Sequence, residues 1–235
     1  MSKIIEDIRK ELIKNSDEKT KTSGERYFKE PVKLYGLKSA VTERIGKEYY
    51  SKIKEKPKPE IFGLCEELWK SGFLEEAGIA CNWSYYIRKK YLPDDIEIFE
   101  KWVDNYVTNW AACDSLCNHS VGTLLEMYPD KVNYLKEWTK SENRWMRRAS
   151  AVSLIVPARK GMFPGDVFEI AVSLLTDKDD MVQKGYGWML KSASQYYQKD
   201  VFEFVVKHKA VMPRTSLRYA IEKMPKDLKV IAMAK

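Results

Sequence analysis

The sequence predicts an all-α protein, and three observations carry that expectation. Apolar residues recur at three- and four-residue intervals through nearly every long segment, the spacing of a helix with one buried face. Strand patterns are scarce; only Val201–Val206 reads as a strand, and "DVFEFVVKH" around it fits a capped short helix equally well. Breaks fall at short intervals, at Lys56–Pro59, Leu92–Asp95, Tyr128–Asp130, Met162–Gly165 and Met212–Pro213, which leaves about a dozen short helices.

The helices follow in order. "IIEDIRKELIKN" puts Ile4, Ile5, Ile8, Leu12 and Ile13 on one stripe, and "IFGLCEELWKSG" does the same with Ile61, Leu64, Cys65, Leu68 and Trp69. "VFEIAVSLLTDKDDMVQKGYGWMLKSASQYY" reads as two helices joined at Thr176–Asp180, where "TDKDD" supplies a turn and an N-cap.

These helices repeat. "WMRRASAV" (145–152) aligns with "MVQKGYGW" (181–188) at an offset of 36, so Arg148 falls on Lys184, Ala149 on Gly185 and Ala151 on Gly187. "EEAGIA" (75–80) aligns at twice that offset, placing Glu76 on Arg148, Ala77 on Ala149 and Ile79 on Ala151. Small residues recur where two helices must approach closely. Helix pairs repeating near this length predict an α-solenoid of HEAT-like antiparallel pairs, a superhelix whose second helices line one concave groove. The expected organisation is one domain over 1–235.

Composition narrows the partners. The 235 residues are 44% hydrophobic and 32% charged, with a net charge of +7 and a pI near 9.0. From Ser141 onward Lys+Arg number 17 against 10 Asp+Glu, while the first 140 residues balance at 24 against 24. A basic excess gathered in one half points to a polyanion partner, or else to a merely soluble basic surface. No apolar run reaches the ~18 residues of a membrane span, and the N-terminus lacks the pattern of a signal peptide. The expectation is a cytoplasmic protein. Cys65, Cys81, Cys113 and Cys117 are expected as reduced, buried thiols. Cys113, Cys117 and His119 raise a metal site, but a closed zinc site wants four ligands in short paired spacings and the second pair is missing. No metal and no cofactor are expected.

"TNWAACDSLCNHSVG" (108–122) carries the candidate chemistry. It sets Trp110 and Asp114 four apart on one face of an otherwise apolar helix. Trp145 and Arg148 share a face further on, and Trp188 comes one turn after Lys184. Indole faces attract cations, Arg and Lys bind phosphate, and a carboxylate stabilises positive charge or orients water. Core packing for any one Trp, and an ion pair between Asp114 and Arg148, are the plain alternatives.

The chain resembles the AlkD-type DNA alkylation repair proteins, HEAT-like-repeat alkylpurine DNA glycosylases. The resemblance rests on "YFKEPVKLYGLK" (27–38), "ELWKSGFLEEAGIA" (67–80), "NWAACD" (109–114), "RWMRRASAV" (144–152) and "QKGYGWML" (183–190), with Trp-x-x-x-Asp, Trp-x-x-Arg and Gly-Trp in order. Ala40 stands near a place where the family often has Pro. The resemblance implies base-excision repair of cationic N3- or N7-alkylated purines in double-stranded DNA, by a monomer that does not flip the base into a pocket. It implies Asp114 as the catalytic carboxylate, with Trp110 and Trp188 as indoles at the lesion. Arg148 would hold the backbone phosphate, and Tyr27 would lie near the same site. Arg147, Lys184, Lys191, Arg214, Arg218 and Trp145 complete the expected DNA-binding set. Two rivals stand beside this reading. One is a non-catalytic protein of the same fold that binds distorted DNA, and the other is a protein-binding solenoid scaffold.

Overall fold

The computed structural model describes residues 2–234. The chain is helical from end to end, and among the described residues the sole extended pairing is an isolated parallel bridge between Lys33 and Phe73. The described chain divides into two compact units, one of Met1–Leu92 with Asn105–Ser115 and one of Pro93–Asp104 with Leu116–Lys235.

The first unit holds α1 (Lys3–Lys14), α2 (Glu18–Tyr27), α3 (Ser39–Ser51), α4 (Lys58–Trp69) and α5 (Leu74–Tyr86). A helix α6 (Asp95–Tyr106) begins in the second unit and ends in the first, and α7 (Trp110–Ser115) closes the first unit. The stripe of α1 is narrower than its sequence predicts. Ile5, Ile8 and Leu12 are fully buried, but Ile13 is exposed, because five aliphatics over ten residues sweep a wider arc than the helix presents to its neighbours. Helix α5 is the hub and packs against α3, α4 and α7. Its Trp83 is fully buried and donates its indole N–H to the Gly46 carbonyl of α3 at 2.8 Å.

The second unit continues with a π-helical turn (Leu116–Val121), then α8 (Gly122–Met127), α9 (Val132–Trp138), α10 (Arg144–Val152), α11 (Ile155–Arg159), α12 (Pro164–Ser173), α13 (Asp180–Ala193), α14 (Gln198–His208), α15 (Arg214–Ala220) and α16 (Lys226–Met233). The segment around Val201 is therefore helical. Successive pairs, α9 with α10, α12 with α13 and α14 with α15, stack so that α10, α13 and α15 lie side by side.

The small residues of the repeat explain that stacking. A Cβ on Gly185 would stand 3.3 Å from Cγ of Arg148 and 3.5 Å from Cγ1 of Val152, across the α10–α13 contact. A Cβ on Gly187 would come within 2.8 Å of Tyr219 Cβ and 2.9 Å of the Ser216 carbonyl, across α13–α15. Helix α13 starts where "TDKDD" places it. Asp179 is the N-cap, accepting from the N–H groups of Met181 at 2.8 Å and Val182 at 3.3 Å.

Candidate functional site

The seven indoles separate by burial. Trp69, Trp83, Trp102 and Trp138 are core, and Trp145 is 7% exposed. Trp110 and Trp188 alone are half-buried. A core packing role is thus the observed one for five tryptophans, and the two that differ are those the Trp-x-x-x-Asp and Gly-Trp patterns single out.

Trp110 is placed by its own short helix. Asn109 is buried and caps α7, its side-chain oxygen accepting from the Ala112 N–H at 2.9 Å. That cap puts Trp110 at the first helical position and half-buried Asp114 one turn later, on the same face. Cys113 between them is fully buried and anchors the adjoining inward side of the helix. Directly after Ser115 the chain widens into the π-helical turn, the kind of local widening that recurs at functional sites.

Two aromatics from the end of α2 meet Trp110. Phe28 stacks on it with ring centroids 5.5 Å apart and planes at 28°, and Tyr27 stands edge-on at 5.9 Å. Tyr27 is 71% exposed. The structure thus brings together Tyr27 and Trp110, two of the residues the family resemblance places near one site. It adds Phe28, which lies in "YFKEPVKLYGLK" but was not among the expected site residues. The available signal was two adjacent aromatics ending a segment with no apolar stripe.

In the second unit, Arg148 is 5% exposed, and its guanidinium donates to the Met181 carbonyl in the first turn of α13. Trp145 lies beneath Arg144, whose guanidinium carbon is 4.6 Å from the ring centroid. Three further cations are paired, Arg147 in a part-buried contact and Lys184 and Lys191 nearer the surface. Arg147 contacts Asp177 at 2.6 Å, Lys184 contacts Asp180 at 2.7 Å, and Lys191 contacts Glu222 at 3.0 Å while lying 5.5 Å above the Tyr219 ring. Arg214 and Arg218 are exposed on α15.

Glu75 and Glu76 open α5. Both are buried, and both carboxylates are bound from inside the first unit. Glu76 accepts from Arg9 and from the Tyr35 hydroxyl at 2.7 Å. Burial and that partner hold the Tyr35 hydroxyl well above the usual phenol range, and the bond to Glu76 raises the Arg9 guanidinium.

All four cysteines are buried and none is in a disulfide. Burial pushes the Cys65 thiol up, which leaves it a packing residue. Among the described residues no three of His, Cys, Asp and Glu gather in a way that would hold a metal ion, and no helix is long and apolar enough to cross a membrane.

A chain of stacked helix pairs, with a carboxylate and an aromatic cluster in one unit and a cation-rich helix stack in the other, defines a helical-repeat protein with a polar, aromatic-lined surface site. A family model, "DNA alkylation repair enzyme", matches residues 8–224, and the chain belongs to that family. A solved structure described as a predicted DNA alkylation repair enzyme from Enterococcus faecalis shares the fold with a TM-score of 0.81. That similarity covers 90% of this chain and 98% of the other at 15% identity. No curated protein is similar enough in sequence to match.

Proposed function

We propose that this protein is a DNA glycosylase that hydrolyses the N-glycosidic bond of cationic N3- or N7-alkylated purines in duplex DNA. The single observation that carries the reading is the pair on α7. A half-buried carboxylate, Asp114, lies one helical turn from a half-exposed indole, Trp110, in a chain of the DNA alkylation repair family.

The chemistry needs little more. An alkylated purine of this kind already bears a positive charge, so its bond to C1′ is weakened and the base leaves without being protonated. The bonding electron pair goes with the base and neutralises it, while positive charge develops on the sugar. Asp114 stabilises that charge and orients the water that attacks C1′, as a carboxylate does for an oxocarbenium-like centre. The attacking water loses its proton toward the carboxylate, and the products are the free base and an abasic site. Trp110, with Phe28 and Tyr27 against it, provides an apolar wall with a negative ring face for the cation.

The second unit contributes the backbone grip. Arg148, Arg147, Lys184, Lys191, Arg214 and Arg218 are assigned to phosphates, and Trp188 to the deoxyribose. Trp145 serves as the floor on which Arg144 rests. The base is not flipped into a pocket, recognition relies on phosphate contacts and weakened pairing, and the protein acts as a monomer.

The reading is tested by incubating the protein with duplex DNA treated with a methylating agent. Released 3-methyladenine or 7-methylguanine, with matching abasic sites, is the expected result. DNA binding with no base release would leave a binding protein instead.

A further inference from the structure

Helix α2 contributes no buried side chain, so burial of an apolar face does not fix its place. It is held at its ends. At the start, the Asp17 N–H donates to the Gly36 carbonyl at 3.1 Å, and the Asp17 carboxylate accepts from the Thr20 N–H at 2.7 Å. In the middle, Leu34 lies so close to α2 that a Cβ on Gly24 would come within 2.6 Å of it. At the far end, Tyr27 and Phe28 meet Trp110.

Residues 28–38 therefore form a strap that returns past α2, and its anchor is Glu75. Three consecutive backbone N–H groups point at that buried carboxylate: Tyr35 at 3.1 Å on one oxygen, Gly36 at 2.9 Å and Leu37 at 3.1 Å on the other. Such an amide nest is an anion-binding shape, here filled by the protein's own carboxylate. Glu75 lies in the first turn of α5, where the helix dipole also favours its charge. Gly36 makes the nest possible. Its φ is +95°, and a Cβ there would come within 2.5 Å of the Asp17 carbonyl. The Lys33–Phe73 bridge and the Tyr35 ring, stacked 4.1 Å from Phe73, hold the strap on the same side of α5.

We propose that Glu75 is a positioning residue: by gripping the amides of 35–37 it sets where α2 ends and so holds Phe28 against Trp110. The catalytic consequence rests on the glycosylase reading above; the placement of Phe28 does not. Glu75 touches no substrate and acts through the strap.

The test uses the full chain labelled with 5-fluorotryptophan, with the Trp110 resonance assigned by its loss in Trp110→Phe. Glu75→Gln keeps the size but turns an amide donor toward a backbone donor. Gly36→Ala breaks the same joint from the strap side. Phe28→Ala removes the contact itself. Glu75→Gln and Gly36→Ala should each move the Trp110 signal in the direction that Phe28→Ala moves it, leaving Trp138 in place. In the Phe28→Ala background, Glu75→Gln should move it no further. Single-turnover release of 7-methylguanine should fall on the order of 10- to 100-fold in each single variant. Whichever of Glu75→Gln and Gly36→Ala retains the helical circular dichroism decides the matter alone. An unmoved Trp110 signal in that variant overturns the proposal, as does a further shift of equal size on top of Phe28→Ala. A moved signal in the variants, where the unsubstituted chain itself releases no base, supports the positioning role and overturns the glycosylase reading, so the two failures are distinguishable.

Discussion

Glu76 in α5 and Arg148 in α10 occupy the same register of the helical repeat, 72 residues apart, and both are buried. Their surroundings differ. In the first unit the Glu76 charge is met by Arg9, through contacts of 2.9 to 3.1 Å, and by the Tyr35 hydroxyl. In the second unit the Arg148 guanidinium donates to the Met181 carbonyl, across the contact of α10 with α13. The comparison teaches that one slot in a helix stack takes a buried charge of either sign, each tied to a neighbouring element: Glu76 to α1 and the 28–38 segment, Arg148 to α13. A carboxylate closed by an internal cation is a joint.

The largest effect expected from this comparison is on stability. Glu76→Ala strips Arg9 and Tyr35 of their acceptor and should cost about 3 kcal/mol in urea unfolding. A loss under about 1 kcal/mol would mean that the pair is not a joint. Next come the close contacts. Gly187→Ala drives a Cβ into backbone and Cβ atoms of α15, and should cost about 2 kcal/mol. Gly185→Ala meets side-chain atoms alone, the stem and one guanidinium nitrogen of Arg148 and the tip of Val152, none closer than 3.3 Å, and should cost less than half as much by the same assay. Equal costs would show that the two helix contacts are not as differently packed as they stand here. The smallest effect sharpens the Arg148 side: Arg148→Ala should lower the salt slope of DNA binding by about one. An unchanged slope in a filter-binding titration would remove Arg148 from the phosphate contacts.

Much of this was legible in the sequence because helical periodicity, caps and small residues act locally. Asp179 reads as a cap from "TDKDD", and Gly185 and Gly187 read as close-packing positions from the offset of 36. The pairing of Trp110 with Asp114 needs only the four-residue spacing. Helix α2 was not legible, since a helix with no buried face leaves no stripe. The roles of Glu75 and Glu76 were hidden for another reason. Each depends on groups some forty or more residues away, and an acidic pair at a helix start is equally what a solvated first turn looks like. Phe28 was hidden in the same way, because its partner Trp110 lies far along the chain.

The central claim is that Asp114 carries the chemistry while other groups carry the binding. Asp114→Asn, compared with the unmodified chain on methylated duplex DNA, tests it most directly. Release of 7-methylguanine should fall at least about 10²-fold, with the dissociation constant for the same duplex changed less than about three-fold. Full excision by Asp114→Asn would contradict the account.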